Sequence, residues 1–525
     1  LTSLGREKQA ALMPVTWSLD VLVVGKDVPT KAAPARSTGA VIKDPLSAES
    51  QKALAHNASI AADALARIGL YADELAASNN WVISGKRTVS GKPLLSNDPH
   101  LRPTAPSIWH MVHLSTPSVR VAGVTSPGLA GVVIGHNENI AWGFTNVGPD
   151  VQDIYLEKFD PANPKRYQTP SGWQDATIRR EEIKVRKGLA SAEFDVVTQE
   201  VTVTRHGPII FEGDGKRYAL RWTAFDSKRV AGDLNHAMNR ARNWEEFNVA
   251  QQGFTPPTQN IIYADVNGHI GYHASGIVPI RKSGDGSLPY DGSTDAGEWT
   301  DYIPFAKLPN VFDPPSGMIV TANQRIVGTD YPYHLTNLWA QPYRARRIFD
   351  LLSEKPKHNA DDFRRILGDV YSIAGSTFAK EAVRTLRPTL TPADDKLRAA
   401  LDAFEKWDGR VNAESTVAPV MAQMRLAFRA KILTGALGPD LVKNFQWSNF
   451  DTTLDRIIKE QPADWLPKEY PSYTAVLRAS FDDARHTLTR QLGADESKWT
   501  WGEMAKARFP HPLGAAPLIG RKFTV

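Results

Sequence analysis

The sequence predicts an α+β protein, because strand-like and helix-like stretches are segregated along the chain instead of alternating. Between residues 78 and 330 it reads as short β-branched or aromatic runs closed by Gly, Asn or Pro: WVISG, RVAGVT, GVVIG, AWGFT, IIYADVNG, IGYHASG and GMIVTAN. Between 340 and 440 apolar residues recur at helical spacing, in DDFRRILGDVYSIAG and through Leu397, Leu401, Phe404 and Trp407.

The remaining pieces fall around these two blocks. Residues 1–45 join a strand-like LDVLVV to a Pro/Ala/Lys-rich stretch, KDVPTKAAPARS, which reads as an exposed linker. From Pro45 to Ala77 the chain is Ala-rich, and Leu54, Ala61, Leu65 and Ile68 share one helical face, which predicts a helix. The character changes at Ser78. No internal repeat is present.

Composition narrows the function classes. With 42% hydrophobic residues in 525, the chain can bury a large core. Lys plus Arg number 62 against 57 Asp plus Glu, without a long basic run, which argues against a nucleic-acid partner. The absence of cysteine removes disulfides, thiolate metal sites and a thiol nucleophile. The longest early apolar run, Val21 to Val24, is too short to span a membrane, so no membrane insertion is expected. The start of the chain lacks the apolar core of a signal peptide.

Familiar catalytic signatures are missing from the sequence. No Ser stands between glycines at −2 and +2, and none has Lys at +3. HExxH, a P-loop and a GxGxxG after a strand are also absent. A hydrolase reading needs a less common arrangement.

The informative run is Ser78-Asn79-Asn80-Trp81-Val82-Ile83-Ser84-Gly85, followed by Lys92-Pro93-Leu94-Leu95-Ser96-Asn97-Asp98-Pro99-His100-Leu101. On its own pattern this is a strand, a turn at Ser90-Gly91 and a second strand ending in a polar corner. A plain β-hairpin in which Ser78 caps the preceding helix would give the same pattern.

SNNWVISGKRTVSGKPLLSNDPHL resembles the start of the β-chain in the penicillin acylase family, N-terminal-nucleophile hydrolases that include cephalosporin and N-acyl-homoserine-lactone acylases. GHNENIAWGFTNVGPDVQDIY (135–155), TRHGPI (204–209), NIIYADVNGHIGY (260–272) and WTWGEMAKARFPHPLG (499–514) match further blocks in order. The resemblance runs from Ser78 to the end and is specific for the family, not for the substrate. It implies a four-layer αββα sandwich with an additional helical region.

The resemblance also implies a mechanism. The precursor cuts itself at Ala77–Ser78, and Ser78 becomes an N-terminal nucleophile whose own α-amine takes its proton. An α-amine titrates at about 7.7–8, close to working pH, as a general base requires. By the same resemblance, His100 orients the amine, the backbone N–H of Asn146 and the side chain of Asn260 hold the oxyanion, and Arg281 lies near the site. Leu101, Ile134 and Phe144 match acyl-pocket positions, although any apolar strand residue serves a plain core equally. Asp150, Gln152 and Asp153 match a structural calcium loop, hard oxygen ligands suiting that ion. No organic cofactor is expected.

The organisation expected on this basis is an incomplete α-chain end and spacer over 1–77 and a β-chain catalytic region over 78–525, truncated at its end. Processing would leave a heterodimer with the chain's own α-chain, acting on a small N-acyl amide such as a penicillin or an acyl-homoserine lactone, in the periplasm or outside the cell. Two other readings stand beside it. One is a non-catalytic binding protein or inactive fragment of the same fold. The other is a carbohydrate-active β-protein, suggested by 14 Trp and 14 Tyr but without an evident carboxylate pair.

Overall fold

The computed structural model describes residues 6–28, 77–101, 103–188, 191–226, 234–254, 257–445, 447 and 449–515. The helix expected between Pro45 and Ala77 therefore lies outside the described residues.

Two antiparallel sheets form the centre. The smaller has three strands, Leu94–His100, Ala77–Ile83 and Met318–Thr321, with Ala77–Ile83 in the middle. The larger has seven, in the order Asn310–Phe312, Ile270–Ser275, Gln259–Asp265, Ile140–Asn146, Ile134–Asn137, Arg120–Thr125 and His110–Ser115.

Strand alternation explains why these sheets stack. Successive side chains point to opposite faces, so a strand buried on both sides serves two cores. Trp81 and Ile83 pack with Val320 against Ala345, Ile348 and Leu351 of helix Tyr343–Ser353, and against Phe363 and Ile366 of helix Ala360–Leu367. Val82, between them, faces the other way and joins Ile262, Ala264, Tyr272 and Ile319 in the core between the sheets. The outer face of the larger sheet, with Trp142, Ile261 and Tyr263, packs on Met238 and Phe247 of helices Leu234–Met238 and Trp244–Gln251. The layers therefore run helix, sheet, sheet, helix.

The sheets approach closely at one glycine. A Cβ on Gly143 would lie 2.8 Å from Asn97 Cβ, so a side chain there would push the two strands apart. Asn97 uses the space, donating from Nδ2 to the Asn79 and Phe144 carbonyls, each at 2.9 Å, and accepting from Phe144 N–H at 3.1 Å.

Beside the sandwich, a six-stranded sheet carries a long exposed hairpin, Thr177–Arg186 paired with Phe194–Thr204. A helical body follows. Helices Ile373–Leu386, Asp395–Lys406, Val417–Leu437, Phe450–Glu460 and Tyr473–Leu492 share one apolar core that also takes Leu12 from helix Arg6–Leu12.

Three expectations change. The helical region does not stop at 440 but continues to helix Trp501–Met504. The strand-rich region contains helices 234–238 and 244–251, the second started by the Asn243 side chain accepting from Glu246 N–H. LDVLVV forms no strand of its own. It runs along Ile326 and Val327 with a single bridge, Val24 to Val327, and the carboxylate of its Asp20 is buried against Arg325. No helix among the described residues is long and apolar enough to cross a membrane.

Candidate active site

Ser78 is the second residue of strand Ala77–Ile83, 6% exposed, on the same side of the strand as Asn80 and Val82. Alternation therefore aims it between the sheets. Asn260 has the same parity as Ile262 and Ala264, so it faces the same interior from the larger sheet and is fully buried. Chemistry and core share one slab, with polar groups at one end and apolar ones behind.

Ser78 is held from both sides. Its backbone N–H donates to Asn323 Oδ1 at 2.8 Å, and Asn323 Nδ2 approaches its hydroxyl at 3.4 Å. The same Nδ2 donates to the Asn146 carbonyl at 2.9 Å. Asn260 Nδ2 donates to that carbonyl at 3.1 Å and to Thr145 Oγ1 at 3.1 Å. Tyr272 donates its hydroxyl to Asn260 Oδ1 at 2.7 Å, which fixes the amide with nitrogen toward Ser78's end of the sheet. The contacts from Ser78 Oγ through Asn323 and Asn146 to Asn260 measure 3.4, 2.9 and 3.1 Å, so the Asn260 amide lies under about 10 Å from the hydroxyl.

Asn146 ends strand Ile140–Asn146, and its side-chain oxygen accepts from Gln259 Nε2 at 2.6 Å. His100 closes strand Leu94–His100 opposite Ala77. Its Nε2 lies 2.8 Å from Asp98 Oδ2 and 3.2 Å from Asn79 Nδ2, so it reaches Ser78's neighbour. The hydrogen bond from His100 holds the Asp98 carboxyl below its ordinary pKa, with Asn79 and Arg344 helping.

Arg344, from the first turn of helix Tyr343–Ser353, completes the cluster. Its Nη1 donates to the Ser78 carbonyl at 2.7 Å and to Asn79 Oδ1 at 2.8 Å, and its Nη2 donates to Asn323 Oδ1 at 3.1 Å. Burial pushes this guanidinium down to about 10, partly offset by Asp98. Asn323 itself has φ of +66°, a left-handed conformation that Asn tolerates better than most residues.

Arg281 is engaged by carboxylates and a carbonyl rather than by Ser78. Its guanidinium is committed to Asp153, at 2.8 and 3.1 Å, and to the Asp150 carbonyl at 3.2 Å. Asp153 also accepts from Trp299 Nε1. Burial pushes Asp150 up to about 6, against the pull of Arg281. This bears on the calcium loop. The Asp153 carboxylate already has a bidentate cation, and among the described residues no three His, Asp or Glu side chains are grouped as a metal site. As arranged, Asp150, Gln152 and Asp153 do not fit a calcium cage.

Among the residues matched to an acyl pocket, Leu101 follows strand Leu94–His100 and is half-buried. Ile134 pairs with Val124 toward the sheet edge. Phe144 packs with the outer core of Trp142 and Phe247, on the face away from Ser78. Sequence reasoning missed Asn97, Tyr272, Asn323 and Arg344 as site residues. Asn97 and Tyr272 stood inside matched blocks, and Asn323 closes the run GMIVTAN, but nothing local marked their partners.

A helix-sheet-sheet-helix stack with a Ser near the start of a central strand defines the fold of the N-terminal-nucleophile hydrolases. A solved thermostable penicillin G acylase from Alcaligenes faecalis superposes with a TM-score of 0.68 at 22% identity, covering 82% of each chain. The penicillin amidase family model matches residues 2–525, and the chain belongs to that family. It is 32% identical over 454 residues to penicillin acylase 2 proenzyme of a Pseudomonas species, covering 83% of this chain and 55% of that protein. It is 29% identical over 466 residues to the acyl-homoserine lactone acylase QuiP of Pseudomonas aeruginosa, covering 82% and 54%. Against penicillin G acylase of Escherichia coli the figures are 30% over 471 residues, 82% and 53%. The chain thus spans about half the length of these relatives.

Proposed function

We propose that this chain is the catalytic part of an amidohydrolase that cleaves N-acyl amides, with Ser78 as nucleophile after cleavage of the Ala77–Ser78 bond. The observation that carries the reading is the convergence of Asn323 and Asn260 on the Asn146 carbonyl beside the Ser78 nitrogen and hydroxyl. The names of the relatives, one of them a proenzyme, support it.

In the proposed reaction Ser78 Oγ attacks the amide carbon and its proton passes to the Ser78 α-amine. Asn260 Nδ2 and the Asn146 backbone N–H hold the oxyanion, each such donor contributing on the order of 3 kcal/mol. Asn260 would exchange one of its two present acceptors for the oxyanion, a tightening common on substrate binding. The C–N bond then breaks, the leaving amine takes the proton back, and water releases the acid from the ester by the same steps. His100 would act through Asp98 and Asn79 on the strand that carries Ser78. A penicillin or an acyl-homoserine lactone are the substrate classes the relatives' names suggest, and the working form would be a heterodimer with the segment released before Ser78.

The test uses the full-length gene product. Mass spectrometry should find a chain beginning at Ser78, and a panel of N-acyl anilides should be hydrolysed. A protein that stays continuous through Ala77–Ser78 and yet hydrolyses amides would refute the assignment.

A further inference from the structure

Arg344 is an unexpected neighbour for a group meant to act as a base. It lies 266 residues from Ser78 in sequence, yet its Nη1 bonds the Ser78 carbonyl at 2.7 Å. Its Nη2 shares Asn323 Oδ1 with the Ser78 nitrogen, at 3.1 Å from the guanidinium and 2.8 Å from the Ser78 nitrogen. An amide oxygen has two acceptor sites, so Asn323 Oδ1 is filled by these two donors.

We propose that Asn323 and Arg344 are a positioning pair for the Ser78 nitrogen, which set its orientation and keep it neutral at working pH. The inference rests on the proposed role of Ser78 and adds two residues to it. Once the chain is cut, a neutral amine has two N–H bonds and one lone pair. Asn323 Oδ1 takes one N–H in the direction the amide N–H now holds, which leaves the lone pair free to turn to Oγ. Protonation adds a positive charge and a third N–H. The Arg344 cation one bond away opposes that charge, and it has already claimed the second lone pair of Asn323.

The other charged groups around Ser78 do not cancel this effect. On strand Leu94–His100 they are Asp98 and His100, which engage each other at 2.8 Å. Asp98 reaches the Ser78 strand only through the Asn79 side chain, at 3.3 Å. On its own strand and on the facing strands Ile140–Asn146 and Gln259–Asp265, the nearby groups are the neutral Asn79, Asn80, Thr145, Asn146 and Asn260. Arg344 touches Ser78 directly and is half-buried, where charge acts at lower effective dielectric than in water. The low pKa that burial gives the guanidinium agrees with a site that disfavours a second positive charge.

The experiment measures kcat and kcat/KM across pH for the mature protein and for Arg344→Met, Arg344→Lys and Asn323→Asp. Asn323→Asp is nearly isosteric and keeps a partner for Arg344, so it guards against a misfolded Arg344→Met. The acidic limb should move up by about one unit in Arg344→Met and in Asn323→Asp, about a tenfold loss of kcat/KM on the acidic side. Arg344→Lys should leave the limb near its original position, because the charge remains, while lowering kcat. KM should change less than about threefold in all three. Mature variants with lowered kcat and an unmoved limb would overturn the proposal and leave only a structural role. N-terminal sequencing of the wild-type preparation separates the two levels. A chain beginning at Ser78 with an unmoved limb in the variants defeats the pair alone, whereas a chain not cut there defeats the assignment of Ser78 with it.

Discussion

Asn260 and Asn323 donate their side-chain amides to a single acceptor, the Asn146 carbonyl oxygen, at 3.1 and 2.9 Å. One comes from the larger sheet and the other from the segment after the smaller sheet's edge strand, so this oxygen joins both sheets at the Ser78 end. The site is assembled by sheet stacking, and its precision depends on the distance between sheets.

Asn260→Ala should lower kcat by about 10²–10³-fold with a smaller change in KM, because the amide acts chiefly on the developing oxyanion. Tyr272→Phe should give a milder loss, since it removes only the hydroxyl that fixes the amide's orientation at 2.7 Å. Steady-state kinetics on mature protein would check both, and equal effects on kcat from the two would contradict this division of roles.

Gly143→Ala should cost stability and activity together. The new Cβ would meet Asn97 at 2.8 Å, and relieving that contact separates the strands that Asn97 ties together. Overpacking of this kind costs about 1–3 kcal/mol. Denaturant unfolding and kcat on the same sample test it; a variant of unchanged stability and activity would show that the sheets have slack.

Much of the fold was legible because alternation is a local property. Trp81, Val82 and Ile83 announce a strand with two buried faces, and segregation of strands from helices fixed the α+β class. Ser78 and Asn260 were legible through the resemblance, and strand parity then accounts for their facing one interior. The Asn323–Arg344 pair was not, since its partners are set by how the helix after the smaller sheet docks. Nor was the partner of Arg281: the resemblance put this arginine near the site, and only the folded chain shows Asp153, a fully buried carboxylate, taking the guanidinium. Short helices 234–238 and 244–251 carry too few turns for a clear helical period inside a strand-rich region.

Arg281→Met should be strongly destabilising, by about 3–5 kcal/mol, because it leaves Asp153 buried without its cation. Since Arg281 supplies that charge, calcium chelation should leave the wild-type Tm unchanged. Thermal melts with and without a chelator would decide; a clear drop on chelation would show that a bound cation shares the site.

Stability should also fall as pH rises from about 4 to 6. Asp150 is held at about 6 in the folded chain against 3.8 ordinarily, so the native state binds this proton more tightly than the unfolded one. Its contribution is full below the unfolded value and is lost as pH passes the folded value. Asp150→Asn should flatten this part of the profile in urea unfolding at stepped pH, and an unchanged slope would refute the assignment.

The role of Ser78 is read from the mass of the chains produced from the full-length gene with Ser78 and with Ser78→Ala, beside amide hydrolysis. The wild type should yield a chain starting at Ser78 and hydrolyse N-acyl anilides, while Ser78→Ala should remain uncut at Ala77 and be inactive. A Ser78→Ala protein that still matures at that bond and hydrolyses amides would exclude Ser78 as the nucleophile.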